Sequence, residues 1–480
     1  MEVAAALELR DVAKVYPGGV RAVDGVDFVL RPGEIHALCG ENGAGKSTLA
    51  QIAAGRLRPT RGRVVANGPV GLVHQQFELV DRLRVWENVV LGREPRRGLR
   101  IDAAAAREHV RALGAQCGLD VDPAAIVEEL PAGIAQRVEI LSELAREPRV
   151  LLLDEPTAVL GPAEIDAFFA TLHALASRGT AILVITHKLA EVVSHAARVT
   201  VLRGGRVVMR AATADTSLDA IARAMVGGDV PPLAPRARTT PAPMFAARGL
   251  ASGDGAHALH EATFEVRGGE IVGIAGVEGN GQSALCDAIA GVAAYRGEMT
   301  LGGTLLRPLA VRQRLAAGLR VIPQDRASEA LVLDWSVAEN AALGDQRALD
   351  RRALAVRAAT IVRDFDVRPA TLRTRVRTLS GGNAQKLVVG RALASAPRCL
   401  IAYQPTRGID VGAAALVQSR LIAARNAGAA VLLVSFELDE LLALADRVLV
   451  LFRGRIAGAF ARDAFDRAPI GAAMSGAQLA

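Results

Sequence analysis

The sequence repeats itself once along its length. Three stretches of the first half return in the second half in the same order: LRPGEIHALCGENGAGKSTL (30–49) as VRGGEIVGIAGVEGNGQSAL (266–285), LPAGIAQRVEIL (130–141) as LSGGNAQKLVVG (379–390), and LLLDEPTAVL (151–160) as LIAYQPTRGI (400–409). Internal repeats of this kind predict similarly folded units, and 480 residues are enough for two domains with a core each.

A proline-rich segment joins the two halves. Residues 227–243, GGDVPPLAPRARTTPAP, contain five prolines, which is typical of an extended linker rather than of a helix or strand. We therefore predict a first domain over residues 1–226, a linker over 227–243 and a second domain over 244–480.

Each half is predicted to have an α/β fold. Apolar, β-rich runs such as VLLL (150–153), AILVIT (181–186) and AVLLVSF (430–436) alternate with amphipathic helical segments. That alternation favours a parallel or mixed sheet covered by helices. Longer polar and helical regions near residues 85–129 and 336–378 predict a separate helical subdomain in each half.

Composition limits where the protein works. No stretch of about 18 residues is free of charged side chains, so no membrane-spanning helix is predicted. The N-terminus, MEVAAALELRDVAKVY, starts acidic and has no continuous apolar core, so no signal peptide is predicted and the cytoplasm is expected. The net charge of +7 suits a nucleic-acid partner or an anionic membrane, but the favoured explanation is an arginine-rich composition spread over solvated faces. Aromatic residues make up only 3% of the chain, which leaves little for base stacking, and no nucleic-acid partner is expected.

The first half contains a phosphate-binding pattern. GENGAGKST (40–48) fits GxxxxGK[ST] and follows the strand-like EIHALC. Glycines in such a loop let backbone N–H groups face phosphate oxygens, with a helix N-terminus behind them. Lys46 is placed to reach the β- and γ-phosphates and Ser47 to bind Mg²⁺; the alternative is a structural glycine turn. The predicted ligand-binding residues are Gly40, Asn42, Gly43, Gly45, Lys46, Ser47 and Thr48.

Two carboxylates close an apolar strand of the same half. In LLLDEP, Asp154 and Glu155 follow three leucines, and a buried strand does not end in two unpaired charges without a large cost. Mg²⁺ for Asp154 and a water molecule for Glu155 resolve this. Glu155 is therefore the predicted general base that activates the attacking water.

Three further residues are candidates for the same site. His187 follows the strand AILVIT and is placed to contact the γ-phosphate, although a lone histidine there could also be a core residue. Gln75, in GLVHQQF, is a candidate to bind Mg²⁺ or to orient the attacking water. Tyr16, upstream of the glycine loop, could stack on adenine or be an ordinary strand aromatic.

Taken together, these motifs resemble the ATP-binding-cassette (ABC) ATPases. The resemblance is carried by the glycine loop, LSGGNAQK (379–386), LLLDEP (151–156) and the strand before His187. QPTRGIDVGA (404–413) and VHQQF (73–77) are similar to the fused double-cassette subunits of bacterial importers for simple sugars and nucleosides, and are closer to the nucleoside branch. The resemblance implies two nucleotide-binding domains that use ATP and Mg²⁺.

In this family two cassettes pair head to tail, and ATP lies between the glycine loop of one and the LSGGQ-like signature of the other. The implied signature residues on the γ-phosphate are Ser380, Gly381 and Gly382, at the start of a helix. When the halves are paired crosswise, the site formed by the first glycine loop and the second signature keeps every expected residue. The site formed by the second glycine loop and the first signature has lost almost all of them. The changes in the second site are Gln282 for the loop lysine, Tyr403 and Gln404 for the carboxylates, Phe436 for the histidine, and Pro131 for the signature serine.

This clustering of losses predicts that the two halves of one chain form the cassette dimer, with one hydrolytic site. The resemblance further implies two transmembrane permease subunits, an extracytoplasmic solute-binding protein, and a position at the cytoplasmic face of the membrane. The permease is expected to dock near Gln75 and the helical subdomains. A nucleoside or purine is the favoured solute and a simple sugar the next. The alternatives are a soluble tandem-cassette ATPase acting on ribosomes or nucleic acid, a small-molecule kinase, and an exporter.

Overall fold

The computed structural model divides into two compact units, Met1–Val230 and Pro231–Ala480. It describes residues 4–41, 43–74, 78–130, 132–157, 160, 162–228, 233–237, 239–240, 242–307, 310–344, 350–369 and 371–476. The division falls inside the segment that was predicted to be the linker.

The first unit is built on a six-stranded sheet with the order β11-β10-β3-β9-β8-β5, in which only β11 is antiparallel to its neighbour. A three-stranded antiparallel sheet, β2-β1-β4, and a short hairpin, β6-β7, complete the strands. The strands are β1 (Leu7–Val15), β2 (Arg21–Leu30), β3 (Ile35–Gly40), β4 (Arg61–Ala66), β5 (Val70–Val73), β6 (Arg96–Arg97), β7 (Arg100–Ile101), β8 (Val150–Asp154), β9 (Ala181–Ile185), β10 (Arg198–Arg203) and β11 (Arg206–Ala212).

Helices cover the large sheet of this unit and form a separate helical subdomain. The helices are α1 (Lys46–Ala53), α2 (Val85–Val89), α3 (Ala103–Cys117), α4 (Ala132–Leu144), α5 (Pro162–Ser177), α6 (Leu189–His195) and α7 (Leu218–Val226). The subdomain consists of α2, α3 and α4, which contact one another. The predicted helical region at 85–129 thus contains α2 and α3, and it also holds the hairpin β6-β7, which the polar composition did not reveal.

The second unit repeats this plan. Its large sheet has the order β17-β18-β19-β14-β20-β21, and its antiparallel sheet has the order β13-β12-β15-β16. The strands are β12 (Pro243–Ser252), β13 (Leu259–Arg267), β14 (Ile271–Ala275), β15 (Tyr295–Leu301), β16 (Thr304–Leu305), β17 (Leu319–Ile322), β18 (Cys399–Tyr403), β19 (Ala430–Val434), β20 (Arg447–Phe452) and β21 (Arg455–Ala461). The helices are α8 (Gln282–Ala290), α9 (Val311–Ala316), α10 (Val337–Ala342), α11 (Arg351–Asp364), α12 (Gly381–Leu393), α13 (Val411–Asn426), α14 (Leu438–Leu444) and α15 (Arg467–Met474).

The two large sheets have one topology, which confirms the α/β fold predicted for both halves. Strands β3, β9 and β8 of the first sheet take the same places as β14, β19 and β18 of the second. Every residue of β8, β9, β18 and β19 is buried. Strands of a parallel sheet are buried on both faces, which is why these segments are continuous apolar runs rather than alternating ones.

The segment before β12 is packed on the second unit. Arg236 forms an ion pair with Asp446 at 2.8 Å, and Asp446 also contacts the guanidinium of Arg425 at 3.1 Å. Burial opposes ionisation of Asp446, but its hydrogen bonds to both arginines and to the backbone N–H of Ile271 hold its pKa below the usual value. The described residues at 233–237 and 239–240 form no helix or strand.

Among the described residues, no helix is long and apolar enough to span a bilayer.

Candidate functional site

The site of the first unit lies at the carboxyl edge of its large sheet. Because β9 lies between β3 and β8 and all three run parallel, Gly40, Asp154 and Ile185 end their strands at the same edge. Parallel α/β sheets bind ligands at this edge. The glycine loop connects β3 to α1 there, so the two motifs predicted to hold phosphate and metal are brought together.

Two glycines of the loop are required by close backbone approach. A Cβ atom at Gly40 would lie 2.3 Å from the carbonyl oxygen of Leu202, and one at Gly45 would lie 2.1 Å from that of Ala22. Gly45 also has a φ of 102°, a left-handed conformation that favours glycine. Only glycine at these two positions lets the loop pack this closely against its neighbours, so both glycines are needed for its shape. Asn42 lies outside the described residues.

Lys46 folds back over the glycine loop. Its Nζ donates hydrogen bonds to the carbonyl oxygens of Gly40 at 2.8 Å and Glu41 at 3.1 Å, and the residue is only 6% exposed. Burial lowers the pKa of Lys46, while the carboxylates of Glu155 and Asp154 act in the opposite direction. A buried ammonium whose hydrogen-bond acceptors among the described residues are neutral carbonyls is suited to anionic phosphate oxygens.

Asp154 is the last residue of β8 and is buried, with 8% exposure. Burial raises its pKa, and a hydrogen bond with the side chain of Ser47 and the charge of Lys46 oppose that shift. A serine hydroxyl beside a carboxylate supplies the hard oxygen ligands that Mg²⁺ takes together with phosphate oxygens. The residues present therefore fit a Mg²⁺–nucleotide complex.

Glu155 is held next to His187. Its carboxylate Oε1 lies 2.9 Å from Nδ1 of His187, and its backbone N–H donates to the carbonyl oxygen of Ile185 at 2.8 Å. Burial by itself would raise the pKa of Glu155. The hydrogen bond to His187 and the positive charges of His187 and Lys46 nevertheless hold that pKa below the usual value. The carboxylate is thus ionised at neutral pH, as a general base must be.

The backbone at Glu155 adopts a positive φ of 51°. A non-glycine residue in the left-handed region carries strain of about 1–3 kcal/mol, and such strain persists where the surroundings determine the conformation. Gln404, the counterpart of Glu155 in the repeat, has a φ of 50° and donates its N–H to Val434 O at 2.8 Å. Both units therefore build the same turn, with a carboxylate in one and an amide in the other.

Of the two remaining predicted residues, Tyr16 and Gln75, the structure describes only Tyr16. Tyr16 is half-buried beyond the end of β1, and its hydroxyl lies 3.4 Å from Oγ1 of Thr48 in the first turn of α1. It therefore borders the glycine loop, and its stacking on adenine stays a prediction. Gln75 lies outside the described residues.

The signature of the second half starts helix α12. Ser380 is its N-cap residue, and the Ser380 hydroxyl accepts hydrogen bonds from the backbone N–H of Asn383 at 3.4 Å and from Asn383 Nδ2 at 2.8 Å. Gly381 and Gly382 are the first two helical residues, so their N–H groups lie in the first turn, which has no intrahelical acceptors. An anion is favoured at such a helix start.

The glycine loop of the second unit keeps the shape of the first but not its chemistry. Gln282 is 1% exposed, and its Nε2 donates to the carbonyl oxygen of Val277 at 3.1 Å, as Lys46 does to Glu41. Its Oε1 is buried and has no hydrogen-bond partner among the residues that the structure describes. An acceptor oxygen here replaces the positive charge that phosphates require.

In the second unit, aromatic side chains occupy the positions of the carboxylate metal ligand and of the histidine. Tyr403 stands where Asp154 stands in the first unit, and its hydroxyl lies 3.1 Å from Oγ of Ser283, the counterpart of Ser47. Burial raises the pKa of Tyr403, so this group is neutral. The ring of Phe436 packs edge-on against Tyr403, with centroids 6.2 Å apart. Neither side chain can supply a metal ligand of carboxylate type or a general base.

The sequence analysis missed a hydrogen-bonded group of residues that adjoins Glu155 and His187 in the chain. Thr157 Oγ1 donates to both carboxylate oxygens of Glu191 at 2.8 Å, and Lys188 Nζ donates to the carbonyl oxygen of Thr157 at 3.1 Å. Lys188 was available as a signal, because it is one of only four lysines in the chain. The sequence contained no signal for Glu191, since a glutamate in a helical segment is common.

A cradle for phosphates, a serine–aspartate pair and an ionised glutamate on one sheet edge, in a fold that is repeated along the chain, define a protein of ATP-binding cassettes. A family model described as ABC transporter matches residues 23–158 and 259–407, more than half of the chain. The chain therefore belongs to the ABC transporter family, and it is an ATP-binding protein whose ATPase activity is coupled to transport.

Curated relatives extend over nearly the whole chain. It is 41% identical to a ribose import ATP-binding protein of Streptomyces avermitilis, covering 95% of this chain and 91% of the relative. It is 39% identical to a guanosine import ATP-binding protein of Bacillus subtilis, covering 94% and 93%. It is 37% identical to a nucleoside import ATP-binding protein of Lactococcus lactis, covering 98% of each.

A solved structure supports the fold. An archaeal ribosome recycling factor, solved in complex with a ribosomal stalk protein, superposes with a TM-score of 0.69 over 96% of this chain and 92% of that one. The two sequences are 17% identical, so this likeness concerns the fold alone.

Proposed function

We propose that the protein is the ATP-hydrolysing subunit of a bacterial-type ABC importer for a small polar solute, with a single competent ATP site. One observation carries this proposal: the repeated turns are the same in backbone, yet the first unit holds Lys46, Asp154 and Glu155 where the second holds Gln282, Tyr403 and Gln404. The relatives that match nearly the whole chain are import ATP-binding proteins.

The chemistry of the competent site follows from its residues. Ser47 and Asp154 would hold Mg²⁺, which neutralises charge on the phosphates, and Lys46 and the loop N–H groups would bind the phosphate oxygens. Glu155, ionised, takes the proton of the attacking water. His187, hydrogen-bonded to Glu155 at 2.9 Å, would orient that carboxylate, and we propose that it also contacts the γ-phosphate. Tyr16 and Gln75 are proposed as the adenine platform and as a ligand of Mg²⁺ or water.

The signature of the second unit completes this site in our proposal. Ser380, Gly381 and Gly382 offer a hydroxyl and a helix start, whereas the first unit has Pro131 at the serine position. Proline has no N–H to donate, so the first signature is the weaker ligand of a phosphate. ATP would therefore bind the two domains, predicted at residues 1–226 and 244–480, to each other, and hydrolysis would release them.

The solute is proposed from relatives. A nucleoside is favoured and a simple sugar is the next choice. The solutes in the names of two relatives, ribose and guanosine, both contain a ribose ring. Import of this kind requires membrane permease partners, and we propose two permease subunits, fed by an extracytoplasmic solute-binding protein. The chain would then work at the cytoplasmic face of the cell membrane.

Affinity purification of the tagged chain tests this function directly. We expect mild detergent extracts of membranes to yield two multi-spanning polypeptides, or two copies of one, for each copy of this chain. Identification by mass spectrometry would also give the transport system whose solute can be assayed. Recovery with ribosomes or nucleic acid from the soluble fraction would contradict the proposal and favour the soluble tandem-cassette alternative.

A cavity in the second unit is the proposed docking site for one permease subunit. It has a volume of about 680 Å³ and lies between α8, β17 and the helical subdomain. Gln324, which corresponds to Gln75 in the repeat, lines it, as do Asp287, Glu329 and Arg391. Burial raises the pKa of both carboxyls, and burial together with Arg357 lowers the pKa of Arg391 to about 10. The cavity is therefore lined by side chains of both signs of charge, which suits a docked helix that also carries both signs.

Replacing Val292 with arginine should block this docking. Val292 lines the cavity and is 68% exposed, so the new side chain can be accommodated by the folded chain but not by a docked helix. We expect Val292→Arg to co-purify with at least about tenfold less permease than the unaltered chain. A tenfold loss of affinity corresponds to a binding free energy weaker by about 1.4 kcal/mol. Leu305→Arg is the control, because Leu305 is 51% exposed and lies away from the cavity on β16. Equal permease recovery by both variants would contradict docking here.

A further inference from the structure

A buried hydrogen-bonded cluster lies directly behind the base and the histidine of the first unit. Thr157 is 1% exposed and donates its hydroxyl to both carboxylate oxygens of Glu191 at 2.8 Å. Glu191 is 8% exposed, and Lys188 Nζ lies 3.8 Å from its Oε1. Lys188 also donates to the carbonyl oxygen of Thr157 at 3.1 Å. Thr157 is thus hydrogen-bonded to both Glu191 and Lys188, and Lys188 lies within ion-pair distance of Glu191.

The cluster joins the two segments that carry the reacting groups. Thr157 is two residues after Glu155, on the loop that follows β8, and Lys188 directly follows His187 before α6. A shift of either segment would change the 2.9 Å contact between Glu155 and His187. The strained φ of 51° at Glu155 needs such surroundings to persist.

The second unit contains the counterpart of this cluster with one change. Thr406 Oγ1 donates to Glu440 Oε1 at 2.8 Å, and Glu440 is 5% exposed. At the position of Lys188 the second unit has Glu437. Burial raises the pKa of Glu440, with Glu437 acting in the same direction, whereas hydrogen bonds from Ser435, Thr406 and Gln418 oppose it. The cation is thus found only where Glu155 and His187 are also found.

We propose that Thr157, Glu191 and Lys188 are positioning residues for ATP hydrolysis, which hold Glu155 and His187 in their reactive arrangement. The inference rests on the proposed role of Glu155 as general base. It assigns to the first cluster a contribution to the rate of the chemical step, and to the second cluster a structural role alone. Displacement of a catalytic group by about 1 Å can cost on the order of 10²-fold in rate.

Matched substitutions in the two units test this inference. Thr157→Val and Thr406→Val each remove one hydroxyl from a threonine–glutamate pair at nearly constant side-chain volume, Thr157 being buried and Thr406 half-buried. We expect Thr157→Val to lower kcat about tenfold to hundredfold with KM for ATP within about twofold, because binding groups are untouched. Thr406→Val should leave kcat within about twofold. Thr157→Ser, which restores the hydroxyl, should recover most of the rate.

Stability separates the positioning role from a structural one. Unfolding by urea should shift by similar amounts in Thr157→Val and Thr406→Val, so that only the rate distinguishes them. If Thr157→Val does not fold, Glu191→Gln and Glu440→Gln provide the same comparison. Equal kcat in the paired variants overturns the inference, as does a loss in Thr157→Val confined to KM. Survival of hydrolysis in Glu155→Gln would instead refute the proposed base itself.

Discussion

Replacing Glu155 with glutamine is expected to reduce steady-state ATP hydrolysis by about 10²–10⁴-fold, the usual contribution of a positioned general base. Glutamine keeps the size of the side chain and can keep the contact with His187, but it cannot take a proton from water. ATP binding should persist, because Lys46 and the glycine loop are unchanged. The measurement is phosphate release under saturating ATP and Mg²⁺, together with ATP affinity by equilibrium binding.

The second unit offers a control for this prediction at the same turn. Gln404 has the backbone conformation of Glu155, with φ values of 50° and 51°, so alanine at either position meets the same strain. Gln404→Ala should retain most of the hydrolysis, whereas Glu155→Ala should lose it. Substantial phosphate release by Glu155→Gln would contradict the proposal of a single hydrolytic site with Glu155 as its general base.

The second large effect is expected at the start of helix α12. Gly382→Asp introduces a carboxylate in the first turn of the signature, where the proposed crosswise arrangement puts the γ-phosphate. Repulsion between the two anions should abolish ATP-dependent closure and reduce hydrolysis at least about hundredfold, since like charges placed together cost several kcal/mol. Hydrolysis is measured as above, with thermal unfolding as a check on folding.

The matched control for the signature is Gly133→Asp in the first unit. Gly133 is likewise the second residue of its helix, and its Cβ atom would lie 3.3 Å from a carboxylate oxygen of Glu164. At Gly382 the corresponding distance is 3.6 Å to Asp410. The local cost is therefore similar, but the first signature faces no hydrolytic site in the proposal. Gly133→Asp should keep most of the activity; the opposite result would mean that each half uses its own signature.

Much of the fold was predictable because its determinants are local. Strands β8, β9 and β19 lie within one or two residues of the apolar runs that predict them, since a run buried on both faces has few alternatives to a parallel strand. The short hairpin β6-β7 was not predictable, because Arg96–Arg97 and Arg100–Ile101 carry no alternating pattern and are exposed.

For the site, sequence alone determined the reacting groups: a lysine in a glycine loop, two carboxylates after an apolar strand and a histidine after another. Only the tertiary structure decided how they meet. The contact of Glu155 with His187, and of Thr157 with Glu191, joins residues 32 and 34 positions apart. These contacts depend on β8 and β9 being neighbours in the sheet. Periodicity specifies which face of a strand is buried, but strand order is decided by the packing of the whole domain, so no local pattern contains it.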